Sequence, residues 1–132
     1  MDVVKYIREN DRLFDLLEVE ILEVGKNFAK VGMVVKDEHL NAAKVCHGAV
    51  IFALADLAFG LASNSCGKLA LTIDVSISYF RTVNLGDKIV AEAKEVYSGN
   101  KTATYIIEVK RGDEIVALAK GTVFKIEKVL GF

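Results

Sequence analysis

The spacing of apolar residues divides the chain into helical and extended segments. Between residues 2 and 17, apolar side chains recur every three or four positions among charges, which predicts a short amphipathic helix. Residues 18–25 and 28–36 favour two strands joined by a turn at Gly25-Lys26-Asn27. Residues 48–64 are almost entirely apolar and predict a longer helix.

Beyond this helix the period of the pattern falls to two residues. Within residues 71–80, apolar and polar side chains alternate, which predicts a strand with Thr72 and Asp74 on the same polar face. Three further strands are predicted at about 87–97, 102–111 and 114–126. The turns between them contain Gly99-Asn100 and Gly112-Asp113, which are typical of hairpins.

The order of these elements predicts an α+β fold. Antiparallel strands joined by tight turns need an element that covers their apolar face, and the 48–64 helix is apolar enough to do so. We therefore expect a curved antiparallel sheet wrapped around one long central helix, with a short helix at the N-terminus. No linker, repeat or low-complexity segment interrupts the sequence, so residues 1–132 are interpreted as a single domain.

Composition narrows the classes of partner. The formal net charge is −1 and the basic residues form no stripe, which argues against nucleic acid. The apolar stretch 49–63 carries Asp56 and is shorter than the roughly 20 residues that span a bilayer, so we expect a buried helix and no membrane segment. The two cysteines, Cys46 and Cys66, show neither disulfide nor metal-ligand spacing, which fits a reducing cytoplasm.

The candidate chemistry is concentrated where a polar loop enters the apolar helix. There the sequence reads N-x5-H-G-x7-D, formed by Asn41, His47, Gly48 and Asp56. The first N–H groups of a helix have no internal partner and lie at the positive end of its dipole, so they suit a developing oxyanion. Glycine at this position lets a substrate carbonyl approach the backbone closely.

Asp56 is the one charged residue between His47 and Lys68. A carboxylate in a buried helix is unfavourable unless it is paired or opens into a cavity, and burial raises its pKa. These properties suit a general base or a nucleophile. The alternative interpretation is a satisfied carboxylate in the core or at an interface.

Helix geometry separates Gly48 from Asp56. Eight residues at 1.5 Å each place them about 12 Å apart along the axis. An oxyanion donor and an attacking group must both lie about 3 Å from the reacting carbonyl. Two antiparallel copies related by a two-fold axis bring Gly48 of one chain to Asp56 of the other, so we predict a homodimer with two shared sites.

The other polar residues admit two interpretations each. His47 could donate a hydrogen bond to the substrate or cap the helix, and Asn41 could hold a water or a carbonyl or serve as a turn residue. Thr72 could steady a water beside Asp56 or satisfy backbone groups. Asp74, predicted on the face of Thr72, is a rival carboxylate.

Two other site chemistries are weaker. A Cys46–His47 nucleophile is disfavoured because adjacent side chains usually point apart and a buried thiol is mostly structural. A metal site built from His39, Cys46 and His47 matches no recognised ligand spacing, so no metal is expected.

Three segments resemble the PaaI-like branch of the hotdog thioesterase superfamily. They are HLNAAKVCHGAVIFALADLAFGLASNS, TIDVSISYFRTVNLGD and IVALAKGTVFKI, and they lie within residues 38–126. The resemblance implies the hotdog fold, hydrolysis of acyl-CoA thioesters (often aryl or phenylacetyl ones), and dimers that pair into tetramers. Coenzyme A is then part of the substrate, and no separate cofactor is implied.

The resemblance also implies roles for individual residues. Asp56 is cast as nucleophile or general base, and the Gly48 N–H as the group that polarises the thioester carbonyl. Asn41 positions the water or substrate, His47 assists at the carbonyl, and Thr72 stands beside the catalytic acid of the partner site.

The sequence departs from the family pattern at Ala49, where a second glycine is frequent, and at Thr82, where proline is common. Neither departure removes a catalytic group. Arg81 could meet a CoA phosphate or form an exposed ion pair.

Two alternative functions use the same groove. A hotdog enoyl-CoA hydratase or dehydratase pairs an acid with a histidine, and His47 is the candidate near the helix. A non-catalytic acyl-CoA-binding protein or regulator needs no catalytic acid, but the sequence shows no appended DNA-binding segment.

Overall fold

The computed structural model describes residues 2–129. The elements in chain order are α1 (Val3–Asn10), α2 (Arg12–Leu16), β1 (Glu20–Gly25), β2 (Phe28–Val34), α3 (Gly48–Ser63), β3 (Lys68–Tyr79), β4 (Lys88–Ser98), β5 (Thr102–Arg111) and β6 (Glu114–Val129), with a short 3-10 turn at Asp37–His39. Among residues 2–129, no helix is both long enough and apolar enough to cross a membrane.

The strands form one antiparallel sheet in the order β1-β2-β4-β5-β6-β3. The central helix α3 packs on one face of this sheet, which confirms the predicted curved sheet around a long helix. The hairpin turn before β6 has Gly112 at a φ of 61°, a left-handed conformation that glycine adopts without strain. The two-residue period of the sequence therefore predicts the strands, and the turn glycines separate them.

The predicted N-terminal helix is present as two helices that meet at Asp11. The backbone of Asp11 is extended (φ −88°, ψ 102°), so it ends α1. Its carboxylate accepts a hydrogen bond from the Leu13 N–H at 3.2 Å and thereby caps α2. Ile7 from α1 and Phe14 from α2 are buried in the core.

Phe59 of α3 packs tightly against the sheet. This side chain is fully buried, and its ring centroid lies 5.4 Å from that of Tyr105. A Cβ added to Gly121 would come within 2.3 Å of the Phe59 ring, so only glycine leaves room for it. Phe59 therefore belongs to the core and does not line a substrate pocket.

The C-terminal end of α3 is fastened to β3 by the buried side chain of Asn64. Its Nδ2 donates to the carbonyl oxygens of Gly60 (2.8 Å) and Ala70 (3.2 Å). Its Oδ1 accepts from the Ala70 N–H at 2.9 Å. Both the oxygen and the nitrogen of the Asn64 amide are therefore hydrogen-bonded inside the fold.

A β-bulge in β3 overturns one expectation from the sequence. Thr72 pairs with Val123 and Asp74 with Thr122, so Ile73 is an extra residue without a partner in the ladder. Directly paired residues project to the same side of a sheet, and Val123 is buried under α3. Thr72 therefore lies on the helix side and Asp74 on the outer side, and the prediction that they share a face is wrong.

The two edges of the sheet differ in character. β1 is six residues long and carries exposed Glu20 and Glu23. β3 is twelve residues long, and it exposes Leu71 and Ile73 by 50% and 60%. Long apolar edge strands are templates for pairing with another chain, whereas short charged ones resist it.

Candidate active site

The first turn of α3 leaves one backbone donor without a partner. His47 is the N-cap residue: its Nδ1 accepts from the Ala49 N–H at 3.1 Å. Its carbonyl oxygen accepts from Val50 (2.9 Å) and Ile51 (3.3 Å). The Gly48 N–H has no hydrogen-bond acceptor among residues 2–129, so it is the group available to a substrate oxygen.

The cap also determines which ring nitrogen of His47 carries the proton. Because Nδ1 accepts a hydrogen bond, the neutral imidazole has its proton on Nε2. The side chain is exposed, and Nε2 makes no hydrogen bond to a described residue. His47 therefore caps the helix through Nδ1, and its Nε2–H is still able to donate a hydrogen bond.

Asn41 organises the loop before the helix. Its Oδ1 accepts from the Ala43 N–H (2.9 Å) and the Val45 N–H (3.4 Å), and its own N–H donates to the Val45 carbonyl oxygen (2.8 Å). The side-chain oxygen of Asn41 therefore serves the turn, as one of the two interpretations of this residue expects. The amide Nδ2 has no partner within the described part of the chain, so it can still hold a water or a carbonyl.

His39 is a buried support for the same loop that the sequence did not single out for this role. Its Nδ1 accepts from the Lys36 N–H at 2.9 Å, and its carbonyl oxygen accepts from the His47 N–H at 2.8 Å. The side chain is only 6% exposed. His39 therefore holds His47 from beneath, and no sequence signal beyond its polarity distinguishes it from a surface residue.

Asp56 lies on the one stripe of α3 that the sheet does not cover. After the first turn, the non-buried positions recur at helical spacing: Phe52, Ala53, Asp56, Gly60 and Ser63. Between residues 2 and 129, no side chain or backbone group forms a hydrogen bond or ion pair with the Asp56 carboxylate. Burial raises its pKa above the ordinary value, and the charge of Asp11 raises it further.

The single chain assembles only part of the predicted site. Asn41, His47 and Gly48 converge at the start of α3, whereas Asp56 lies about 12 Å further along the helix. Thr72 lies on the helix side of β3 and makes no side-chain hydrogen bond to a described residue. Asp56 is half-buried and Thr72 is exposed, and neither forms a hydrogen bond with Gly48 of the same chain.

Tyr79, at the end of β3, contacts Gly48 at the start of α3. The sequence did not predict it as a site residue. Its hydroxyl donates to the Gly48 carbonyl oxygen at 2.8 Å. The two residues are 31 positions apart, so no local motif in the sequence links them.

The alternative nucleophile is ruled out by its environment. Cys46 is buried, and burial raises the pKa of its thiol to about 11, with a smaller contribution from Asp87. Its sulfur lies 3.7 Å from the His47 carbonyl oxygen and forms no hydrogen bond with the imidazole. Residues 2–129 contain no group of three or more His, Cys, Asp or Glu side chains arranged to hold a metal ion.

A cavity of about 1130 Å³ opens beyond the C-terminal end of α3. Ser63 lines it and lies seven residues beyond Asp56 on the same stripe, which is about 10 Å along the axis. The basic residues around it are Lys68, Lys101, Lys125 and Lys128, against Glu95 and Glu127. Arg81 is elsewhere and pairs with Glu114 at 3.0 Å, as the ion-pair interpretation expects.

Comparison with known proteins places this architecture in a family. The model of the thioesterase superfamily matches residues 43–118, which include α3 and β3. A putative esterase of Archaeoglobus fulgidus is 61% identical over 127 residues, covering 96% of this chain and 82% of the relative. The acyl-coenzyme A thioesterase PaaI of Escherichia coli is 36% identical over 119 residues, covering 89% of this chain and 85% of the relative.

Solved structures agree with the sequence relatives. The E. coli PaaI protein from the phenylacetic acid degradation operon superposes with a TM-score of 0.92 at 33% identity, over 96% of this chain and 92% of that one. A Streptococcus mutans protein bound to acetyl CoA gives a TM-score of 0.80 at 31% identity, over 84% and 90% of the two chains. The chain therefore belongs to the thioesterase superfamily, in its PaaI-like hotdog branch, and is a thioester hydrolase.

Proposed function

We propose that this protein hydrolyses acyl-CoA thioesters in a site shared between two subunits. The observation that carries the proposal is the Asp56 carboxylate, which is half-buried, has no partner among the described residues, and lies on the open stripe of the central helix. An unpaired carboxylate in that position destabilises the fold, so it is expected to serve the reaction.

The reaction needs one donor and one attacking group at the same carbonyl. The Gly48 N–H donates a hydrogen bond to the thioester oxygen and stabilises the negative charge that develops on it, aided by the positive end of the α3 dipole. Asp56 of the partner subunit either deprotonates a water that attacks the carbonyl carbon, or attacks it directly to form a mixed anhydride that water then cleaves. In both routes the C–S bond breaks and CoA leaves as its thiol.

The open edge of the sheet supports the shared site. In residues 2–129, β3 is hydrogen-bonded to β6 on one side and to no strand on the other. Antiparallel pairing of two β3 strands places the Tyr79 end of one chain beside the Thr72 end of the other. Since Thr72 and Tyr79 both lie on the helix side, the Gly48 turn of one subunit then faces Thr72 and Asp56 of its partner.

The remaining polar groups have complementary tasks in this arrangement. The Asn41 amide positions the water or the substrate carbonyl, and the His47 Nε2–H assists at the thioester oxygen. The Thr72 hydroxyl steadies the water beside the catalytic carboxylate. We expect two such dimers to associate as a tetramer, as the PaaI-like resemblance implies.

The substrate extends along the open stripe in both directions from Asp56. We assign the lysine-lined cavity to the phosphates of CoA, because cationic side chains there outnumber acidic ones. Phe52, half-buried on the stripe, is available to contact an aryl or phenylacetyl group. The E. coli relative named for the phenylacetic acid degradation operon makes such acyl groups the first candidates.

The decisive assay follows thiol release from a panel of acyl-CoAs that includes phenylacetyl-CoA. We expect turnover by the wild type and a loss of at least about 10²-fold in kcat for Asp56→Asn, because the general base or nucleophile is removed. Asp74→Asn is the matched control: it removes a carboxylate on the outer side of the sheet and should retain full activity.

Other outcomes identify other functions. Thiol release that persists in Asp56→Asn contradicts the assignment of Asp56. Tight binding of acyl-CoA without turnover in the wild type indicates a binding protein or regulator, and a change in enoyl absorbance indicates a hydratase. A thioester of N-acetylcysteamine, which lacks phosphates, should show a raised KM and lose the dependence of KM on ionic strength.

A further inference from the structure

Tyr79 connects the edge strand of the sheet to the first turn of the central helix. Its hydroxyl donates to the Gly48 carbonyl oxygen at 2.8 Å. Its ring lies against the Cα of the same glycine, because a Cβ built on Gly48 would be 3.2 Å from Cζ and 3.4 Å from Oη. One side chain therefore holds both the carbonyl and the Cα of Gly48.

This contact is separate from what the fold requires. Gly48 is the first residue of α3, and its carbonyl oxygen is an ordinary acceptor for the helix, so the Tyr79 hydroxyl supplies an additional bond. The side chain of Tyr79 is 47% exposed and contributes little to the buried core. A tyrosine hydroxyl is protonated at neutral pH, and partial burial raises the pKa of Tyr79 further.

Pairing with β6 fixes the backbone of β3 on which Tyr79 lies. Tyr79 pairs with the buried Ala117, and the next residue, Phe80, donates its N–H to the Val116 carbonyl oxygen at 2.8 Å. The bulge at Ile73 leaves Tyr79 and Thr72 on the same side of β3, although seven residues separate them. The Tyr79 side chain thus links the end of the edge strand to Gly48.

We propose that Tyr79 is a positioning residue: by holding the Cα and the carbonyl oxygen of Gly48, it fixes the first residue of α3, whose N–H lies in the preceding peptide and donates to the thioester oxygen. The proposal rests on the oxyanion role assigned to Gly48. The peptide that carries this N–H is held at one end by the His47 carbonyl oxygen, which accepts from Val50 and Ile51, and Tyr79 holds the Gly48 Cα at its other end. Catalytic donors must be held to a fraction of an ångström, and a hydrogen bond from a rigid strand provides this.

The first test is Tyr79→Phe, which keeps the ring and removes the hydroxyl. We expect kcat to fall about 3- to 10-fold, the effect of one hydrogen bond, with KM changed by less than about 2-fold. The midpoint of the acidic limb of the pH profile should not move, because Asp56 is untouched. Tyr6→Phe, which removes a hydroxyl on α1, is the matched control and should leave kcat unchanged.

Two results of that test overturn the proposal. An unchanged kcat shows that the hydroxyl does not position the donor. A raised KM with unchanged kcat shows that Tyr79 binds the substrate directly and is not a positioning residue.

The second test measures the coupling between Gly48 and Tyr79. Gly48→Ala retains the backbone N–H, but its Cβ meets the Tyr79 ring. We expect it to lower both Tm and kcat in the wild-type background and to have a smaller effect on both in a Tyr79→Ala background. Equal losses in the two backgrounds contradict the contact. The Tm measurement needs no substrate, so it tests the contact even if the protein hydrolyses no acyl-CoA.

Discussion

Asp56 in α3 and Asn64, the residue that caps the C-terminal end of this helix two turns further on, differ in their hydrogen bonding. The Asn64 amide is buried and uses both its oxygen and its nitrogen to join α3 to β3. The Asp56 carboxylate is half-buried and makes no hydrogen bond to a described residue. A side chain whose valences are used by the fold stabilises the fold, whereas one left unused in a costly position is available for chemistry.

The same contrast distinguishes the two ends of α3. At the N-terminal end, three donors form no hydrogen bond with a residue in the range 2–129: the Gly48 N–H, the His47 Nε2–H and the Asn41 amide. At the C-terminal end, Ser63 and Asn64 direct their polar atoms to the carbonyl oxygen of Gly60. We therefore expect that substitutions at the two ends of this helix can change stability and activity separately.

The largest expected effect is that substitution of Asn64 lowers stability without lowering kcat, whereas substitution of Asp56 lowers kcat without lowering stability. Asn64→Ala leaves buried backbone groups of Ala70 without partners, so it should lower the free energy of unfolding by about 2–3 kcal/mol while the folded fraction retains its kcat. Asp56→Asn should abolish turnover and leave the protein at least as stable at pH 7. Urea unfolding and thiol-release assays on both variants measure this. A large loss of stability in Asp56→Asn would show that the Asp56 carboxylate stabilises the fold, contrary to this expectation.

A smaller effect is expected from the bulge in β3. Thr72→Val removes the hydroxyl that faces the helix side and should lower kcat about 5- to 10-fold, the contribution of one hydrogen bond to the attacking water. Asp74→Asn changes the next polar residue of the strand, on the outer side, and should have no effect on kcat. Equal effects of the two substitutions would show that the bulge does not direct Thr72 to the site.

The smallest expected effect is on pH dependence. Asp56 must be ionised to act, so kcat/KM should rise with pH through its raised pKa. Asp11→Asn retains the cap of α2 but removes a negative charge near Asp56, so the acidic limb should move to lower pH. Asp15→Asn, also on α2, is the control. A limb that does not move shows that the charge of Asp11 does not act on Asp56.

The raised pKa of Asp56 also makes the stability of the folded state depend on pH. The folded state binds the Asp56 proton more tightly than the unfolded state, because burial disfavours the charge. The stabilisation is therefore complete below the unfolded pKa and is lost as pH rises through the folded pKa. Wild type and Asp56→Asn should be similar in stability at low pH, with the variant gaining as the pH increases.

The sequence predicts the fold well because its signals are local. Alternation over two residues, glycine turns and one wholly apolar helix are each contained within a few positions, and all the predicted elements are present. The loop and helix start at Asn41, His47 and Gly48 are also contiguous, so their proximity is predictable. The break at Asp11 is the local detail that the apolar periodicity does not show.

The missing parts of the site depend on contacts between distant residues. The alternation in β3 looks regular, and only its pairing with β6 shows that Ile73 is an extra residue. The contact between Tyr79 and Gly48 and the links from Asn64 to Ala70 join separate elements. No pattern along the chain encodes these contacts, because each depends on how the strands and the helix pack.

The central claim is that Gly48 and Asp56 act together from different subunits. The direct measurement is thiol release by mixed dimers of Asp56→Asn and Gly48→Val chains, prepared by co-expression with different tags. One of the two sites in a mixed dimer combines an intact Gly48 with an intact Asp56. A statistical mixture should therefore regain about a quarter of wild-type activity, although each variant alone is inactive. Mixed dimers that form and remain as inactive as the two parents would contradict the account.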